Sequence, residues 1–175
     1  MDEKKHALLS SEYLHLQSTL EGFDGKALTI KTWSVTFSFT AFGIAFTNQV
    51  YSIFLIAAFA SLIFWFLEAS WKSFQSAYFD RIQEIEAYFR DQTLPISPLQ
   101  ITKSWYTSFR KNGQKNVLKT LFWYHIYLPH ALIFITGIIL FLFLSRESPK
   151  KTIQSNQTKI LIYSNLHDKN QELSK

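Results

Sequence analysis

The sequence predicts an all-α fold: a helical integral membrane protein in which a transmembrane hairpin and a third apolar helix are joined by amphipathic cytosolic helices. Three observations predict it. Thr29 to Thr47 and Val50 to Trp71 are apolar runs near the roughly 20 residues that a helix needs to cross a hydrocarbon core. Only Asn48 and Gln49 separate them. So short a link demands an antiparallel hairpin of helices, because in lipid each segment must satisfy its own backbone groups. A third apolar run, Leu121 to Leu144, follows a basic stretch. The chain divides into an N-terminal amphipathic helix (1–27), the hairpin (28–71), a helical extension with a basic interfacial helix (72–119), the third membrane segment (120–144) and a polar flexible tail (145–175).

Composition narrows the alternatives. A chain of 175 residues suits one domain. It holds 17 Phe and 5 Trp but only 5 Gly and 4 Pro, which favours helices over a loop-rich domain. Mean hydropathy lies close to zero because polar ends offset the apolar runs. Without Cys there is neither a disulfide framework nor a thiolate metal site. The net charge of +5 suits an anionic membrane surface or nucleic acid, and the apolar runs favour the membrane.

Near the N-terminus, Leu9, Tyr13, Leu16 and Leu20 recur at helical spacing. Asp2 and Glu3 stand where a secretory signal would be basic, and no apolar core with a cleavage site follows before Thr29. The expectation is an amphipathic helix ended by Gly22 and Gly25, lying on the membrane surface or on a neighbouring helix. His6 and His15 belong to its surface.

In the first apolar run Thr29, Thr32, Thr36, Thr40, Gly43 and Thr47 form one helical row, and Ser34, Ser38, Ala41 and Ala45 form another. Small and hydroxyl residues let helices approach closely and hydrogen-bond in lipid, so the Thr row reads as a packing seam. Its alternative is the lining of a wet path through an oligomer.

The second run ends in Trp65, Glu68 and Trp71, an ionisable group bracketed by interfacial aromatics. Folding the hairpin brings Glu68 to the depth of Lys31, with Lys72 one turn beyond, so Glu68 has two candidate cationic partners. The helix is expected to continue, because Trp71, Phe74, Tyr78, Ile82, Ile85 and Phe89 keep an apolar stripe at helical spacing. Such a stripe must be covered by the N-terminal helix or by a second copy of the chain.

Pro95 and Pro98 break the pattern, and Ser97 with Pro98 suits the start of a helix ending before Gly113. Lys103, Trp105, Arg110, Lys111, Lys115 and Lys119 follow with no acidic residue between Asp91 and Glu147. A basic amphipathic segment between apolar runs belongs in anionic headgroups, each cation contributing about 1 kcal/mol. Single-stranded nucleic acid is the lesser reading.

In the third run Pro129 frees a carbonyl one turn earlier, near His125, and His130 falls close to the centre. His130 reads first as a hydrogen-bonded packing residue, with proton relay and gate as alternatives. A re-entrant segment limited to Ala131–Leu144 is the alternative to a full crossing. With the N-terminus inside, Lys and Arg number twelve on the cytosolic side against six in the tail, so the positive-inside rule puts the hairpin tip outside.

The phrases Glu12-Tyr13-Leu14, Leu28-Thr29-Ile30-Lys31-Thr32-Trp33-Ser34-Val35-Thr36, Phe64-Trp65-Phe66-Leu67-Glu68-Ala69 and Arg81-Ile82-Gln83-Glu84-Ile85-Glu86-Ala87-Tyr88-Phe89 resemble a group of small bacterial helical membrane proteins. By analogy of build, the resemblance implies a membrane effector of the kind used in bacterial conflict systems. No catalytic or phosphate-binding motif and no metal-ligand cluster is present in the sequence, so neither an enzyme nor a cofactor is expected. The functional expectation is an inner-membrane homo-oligomer acting as a channel-like or membrane-disrupting effector. The alternative is an anchor recruiting a soluble cytosolic partner.

Overall fold

The computed structural model describes residues 2–146, and no strand occurs among the described residues. Helices α1 (Asp2–Asn48), α2 (Ser52–Ser76), α3 (Phe79–Arg90) and α4 (Ile101–Leu121) are followed by α5 (Tyr124–Arg146). Of the expected flexible tail, Ser145 and Arg146 close α5, and the rest lies outside the described residues.

Helix α1 is one rod of 47 residues. Gly22 and Gly25 do not end it, contrary to the sequence expectation. Each glycine costs about 1 kcal/mol relative to Ala inside a helix, and the burial of Leu16, Leu20 and Ala27 on either side offsets that cost. The chain reverses at Gln49–Tyr51 rather than at Asn48, which still belongs to α1. Gln49 adopts the left-handed conformation (φ 55°) that turns the backbone.

From that turn α2 runs back along α1. Phe42 and Phe46 meet Phe54, with ring centroids 5.5 and 5.0 Å apart. Lys31 lies beside Glu68, Asp24 beside Lys72, and Phe23 beside Trp71. Between α2 and α3 the break is one tight turn, in which the Ala77 and Tyr78 amides bond Phe74 and Gln75 carbonyls three residues back. The pair therefore behaves as a single helix, Ser52–Arg90.

Two cores form along this antiparallel pair. At the polar end Leu9, Leu16 and Leu20 bury against Ile82, Ile85 and Tyr88, with Tyr78 and Ile101 at the margin. The apolar stripe of α3 is thus covered by the N-terminal half of α1 in the same chain, and Phe89 remains outside it. At the apolar end Ala41, Phe42 and Ala45 of α1, Phe54 and Ala57 of α2, and Ile133 of α5 close a three-helix seam. Gly137 permits it: a Cβ there would stand 2.9 Å from the Phe54 carbonyl oxygen and 3.0 Å from the Ala58 Cβ.

Helix α4 also departs from expectation. It starts at Ile101 and runs through Gly113 to Leu121 instead of starting at Pro98 and stopping at Asn112. Leu99 takes a left-handed turn (φ 62°), and its N–H is bonded to the Glu12 carboxylate. Those demands spend the residues that sequence assigns to the first turn. Gly113 serves close approach, its carbonyl accepting the Ser73 hydroxyl at 3.1 Å while the Phe109 ring covers the place of a Cβ.

Two helices, Ser52–Arg90 and Tyr124–Arg146, are long and apolar enough to cross a membrane. The apolar half of α1 falls short by the same measure, because Thr and Ser are frequent in it.

Candidate functional site

Three rows of small or polar residues converge where α1, α2 and α5 meet. Helix α1 buries Ser34, Ser38, Ala41 and Ala45, helix α2 buries Ala57, Ala58, Ser61 and Glu68, and α5 buries Ile126, His130, Ile133 and Gly137. Each row follows helical spacing, so each presents one face to the others. Small residues bring the backbones close, and the longer polar groups are enclosed between them.

His130 is the centre of the site. Its Nδ1 lies 2.9 Å from the Ser34 hydroxyl and its Nε2 lies 3.0 Å from Glu68 Oε2. The three side chains are at most 1% exposed. Lys31 Nζ stands 3.2 Å from Glu68 Oε1, an ion pair whose alignment is too poor for a hydrogen bond. The ammonium instead donates to the His125 carbonyl at 3.0 Å. That carbonyl is the one left free by Pro129, which has no N–H to reach back to it. Lys31 keeps 28% of its side chain exposed and so connects a buried carboxylate to the surface.

Further polar links tie α2 to α5 and to the end of α4. The Ser61 hydroxyl donates to the Ala58 carbonyl at 2.7 Å and lies 3.3 Å from that of His130, and Trp65 Nε1 donates to the Leu121 carbonyl at 2.9 Å. One turn beyond Ser34, the Ser38 hydroxyl is buried and finds no protein partner among the described residues. A carboxylate this deeply enclosed is destabilising by several kcal/mol unless it is paired. Lys31 balances its charge, and the imidazole supplies a donor.

Serine, histidine and glutamate in this order invite comparison with a hydrolytic triad. The Ser34 side chain is fully buried, which gives a substrate carbonyl no approach. The arrangement is suited to holding and exchanging a proton inside an apolar bundle.

A second enclosed charge cluster lies at the polar end. Arg81 Nε donates to Glu12 Oε1 at 2.8 Å, Nη2 reaches Glu12 Oε2 at 3.2 Å and the Ser97 carbonyl at 2.8 Å, and Nη1 reaches Glu84 at 3.0 Å. Burial alone would lower the Arg81 pKa, but bonding to Glu12 and Glu84 outweighs it and holds the guanidinium above its usual value. Above this cluster α3, the 91–100 loop and α4 border a cleft of about 650 Å³, lined among others by Asp80, Glu84, Leu94, Ile96, Lys103 and Lys111.

The remaining predicted residues take these places. Lys72 pairs with Asp24 and Gln75 and does not reach Glu68, because it sits one turn further along α2. Its hydrogen bond, followed by that of Gln75, holds the Asp24 carboxyl below the ordinary value of 3.8. The His125 ring lies outside the bundle beside Trp123 and Tyr124. Thr29, Thr32, Thr36, Thr40, Gly43 and Thr47 all face outward, and the seam within the chain is made by the Ser34 row instead. The hydroxyls of Thr29, Thr32 and Thr47 bond carbonyls of their own helix. Trp105 leaves the basic face: it stacks on Phe109 (5.0 Å, 6°) and donates to the Phe74 carbonyl at 3.1 Å. Lys103, Arg110, Lys111, Lys115 and Lys119 stay exposed.

The sequence reading missed Glu12 with Arg81, Ser34 as a partner of His130, and Gly137 as the contact point of α5. The signal available for Ser34 and Gly137 was their place on helical rows shared with other small residues. Among the described residues, no group of three or more His, Asp or Glu side chains has the geometry to hold a metal ion. Comparison with known proteins finds no matching protein-family model, no matching curated protein and no matching solved structure.

Proposed function

We propose that the chain is a multi-pass bacterial inner-membrane protein, with its N-terminus in the cytosol, that oligomerises as a channel-like or membrane-disrupting effector. The observation that carries this reading is the position of the Thr row. Thr29, Thr32, Thr36, Thr40, Gly43 and Thr47 lie on the outside of the bundle, although the fold uses none of them to hold its own helices together. Hydroxyl and small residues on a lipid-facing side are what a second helix uses for close approach.

Burial supports the membrane setting. Only 33% and 22% of the most apolar stretches of Ser52–Arg90 and Tyr124–Arg146 are buried within the chain. Ile56, Phe59, Ile63, Leu132, Ile139 and Phe143 are each more than half exposed, an area too large for water to favour. The exposed cations of α4, next to Leu118 and Phe122, suit anionic headgroups.

Because the chain lacks Cys, single cysteines test the reading directly. A cysteine at Asn48 should label from the periplasm and one at Lys103 from the cytosol. A cysteine at Gly43 should cross-link between copies in membranes, and purified protein should pass ions across liposomes. Replacing Thr36 and Thr40 by Val should weaken association by about 0.6 kcal/mol per lost hydrogen bond between helices. Absence of both cross-linking and ion flux overturns the effector reading. The cleft between α3 and α4, with acidic residues on one wall and lysines on the other, then favours the second reading: an anchor that docks a soluble cytosolic protein.

A further inference from the structure

We propose that His130 is a buried proton-binding site, taking up and releasing one proton without losing either of its ring hydrogen bonds. The argument rests on what its two partners can accept. Glu68 as a carboxylate only accepts, so at 3.0 Å it holds the hydrogen on Nε2 whether the ring is neutral or charged. Ser34 both donates and accepts. With a neutral ring its hydroxyl hydrogen points to Nδ1, and with a charged ring its oxygen receives the new Nδ1–H across the same 2.9 Å.

A carbonyl facing Nδ1 would hold that nitrogen permanently protonated, and an N–H group would hold it permanently bare. The hydroxyl alone fits both states. In the uptake step a hydronium ion gives up its proton and leaves as water, an N–H bond forms at Nδ1, and the Ser34 hydroxyl rotates to direct its hydrogen elsewhere.

The surrounding charges make the second state tolerable. Lys31 of α1 faces Oε1 of Glu68, and His130 of α5 faces Oε2, so one carboxylate of α2 stands between two cations when the ring is charged. From α5 His125 contributes its carbonyl to Lys31 while its ring lies outside. Towards the polar end, Asp24 and Lys72 are occupied with each other. No other charged group among those described enters the site, and its exposed member is Lys31. The inference goes beyond the proposed effector role and holds whether or not copies associate.

The full chain in lipid nanodiscs, with His6, His15, His125 and His167 replaced by Gln, keeps His130 as its one histidine. Nitrogen NMR of that ring through a pH titration should show one reversible protonation step at Nδ1, while Nε2 stays protonated throughout. In the same background Ser34→Ala should weaken proton affinity by about tenfold, one unit in the midpoint, and Ser34→Thr should retain the original midpoint. Ring shifts that stay constant across the whole range, in either charge state, overturn the proposal. So does an unchanged midpoint in a folded Ser34→Ala chain. If that variant does not fold, the titration of the single-histidine chain decides alone.

Discussion

Glu68 of α2 and His130 of α5 are 62 positions apart in the chain, yet their side chains meet at 3.0 Å with essentially no exposure to solvent. This contact closes α5 onto the α1–α2 hairpin, and the neighbouring Lys31 completes the charge balance. Removing His130 leaves the enclosed Glu68 carboxylate with the Lys31 ion pair but no hydrogen-bond donor.

His130→Ala should therefore destabilise the bundle by about 3 kcal/mol, since it takes from a buried carboxylate its hydrogen-bond donor and leaves the Lys31 ion pair alone to hold it. His130→Gln, which can still donate toward Glu68, should lose less. Thermal unfolding in a mild detergent ranks the two, and equal stabilities would show that the carboxylate does not depend on the imidazole.

The clamp at the polar end gives a second prediction. Glu12→Ala removes the bidentate partner of Arg81 and the acceptor of the Leu99 amide. It should cost about 3–5 kcal/mol, as expected for breaking a buried pair, and should expose the 91–100 loop to proteases. Limited proteolysis that is unchanged from the parent would count against the clamp.

Two glycines should respond oppositely to Ala. At Gly43 an added Cβ meets nothing within 4 Å, so folding should be unharmed or gain up to about 1 kcal/mol from helix propensity. At Gly137 the same change drives a methyl against Phe54 and Ala58, and it should cost about 1–3 kcal/mol through overpacking. Unfolding measurements on both variants separate a glycine used inside the fold from one facing outward.

Acid sensitivity supplies a fourth test. The Asp24 carboxyl is held below its ordinary value of 3.8 by Lys72 and then Gln75. A lowered folded value means the ionised form is the one favoured by folding. Its contribution is therefore complete above pH 3.8 and fades as pH falls through the depressed value. Asp24→Asn should remove that contribution, leaving the variant slightly less stable than the parent near neutrality and equal to it once the carboxyl is protonated in acid. The effect should be small, because Asp24 keeps 60% of its side chain exposed. Melting temperatures of parent and variant followed from neutral pH into the acid range test it; parallel curves would exclude the ion pair as a contributor.

Local pattern was enough for much of the fold. The helical hairpin follows from two apolar runs and a link too short for anything else, and the stripe from Tyr78 to Ile85 had to find an apolar cover. The depth match of Lys31 with Glu68 was also legible, since a tight antiparallel turn sets opposite residues by counting from its tip. Helix ends were less legible. Gly22, Gly25 and Gly113 carry stop signals in isolation, but long-range packing and the Ser73 contact outweigh a local cost of about 1 kcal/mol each.

The sequence by itself determined an all-α fold for the described residues, with apolar helices and a basic α4, because periodicity and charge are properties of neighbours along the chain. Only the tertiary structure decided which α1 row turns inward, which cation Glu68 receives and what His130 touches. Ser34 and Thr36 are two positions apart on one helix and chemically alike, and their spacing alone does not distinguish the inner face from the outer. The docking of α5 decides it: Gly137 fits against Phe54 and Ala58, which brings His130 to the Ser34 face and leaves the Thr row outside.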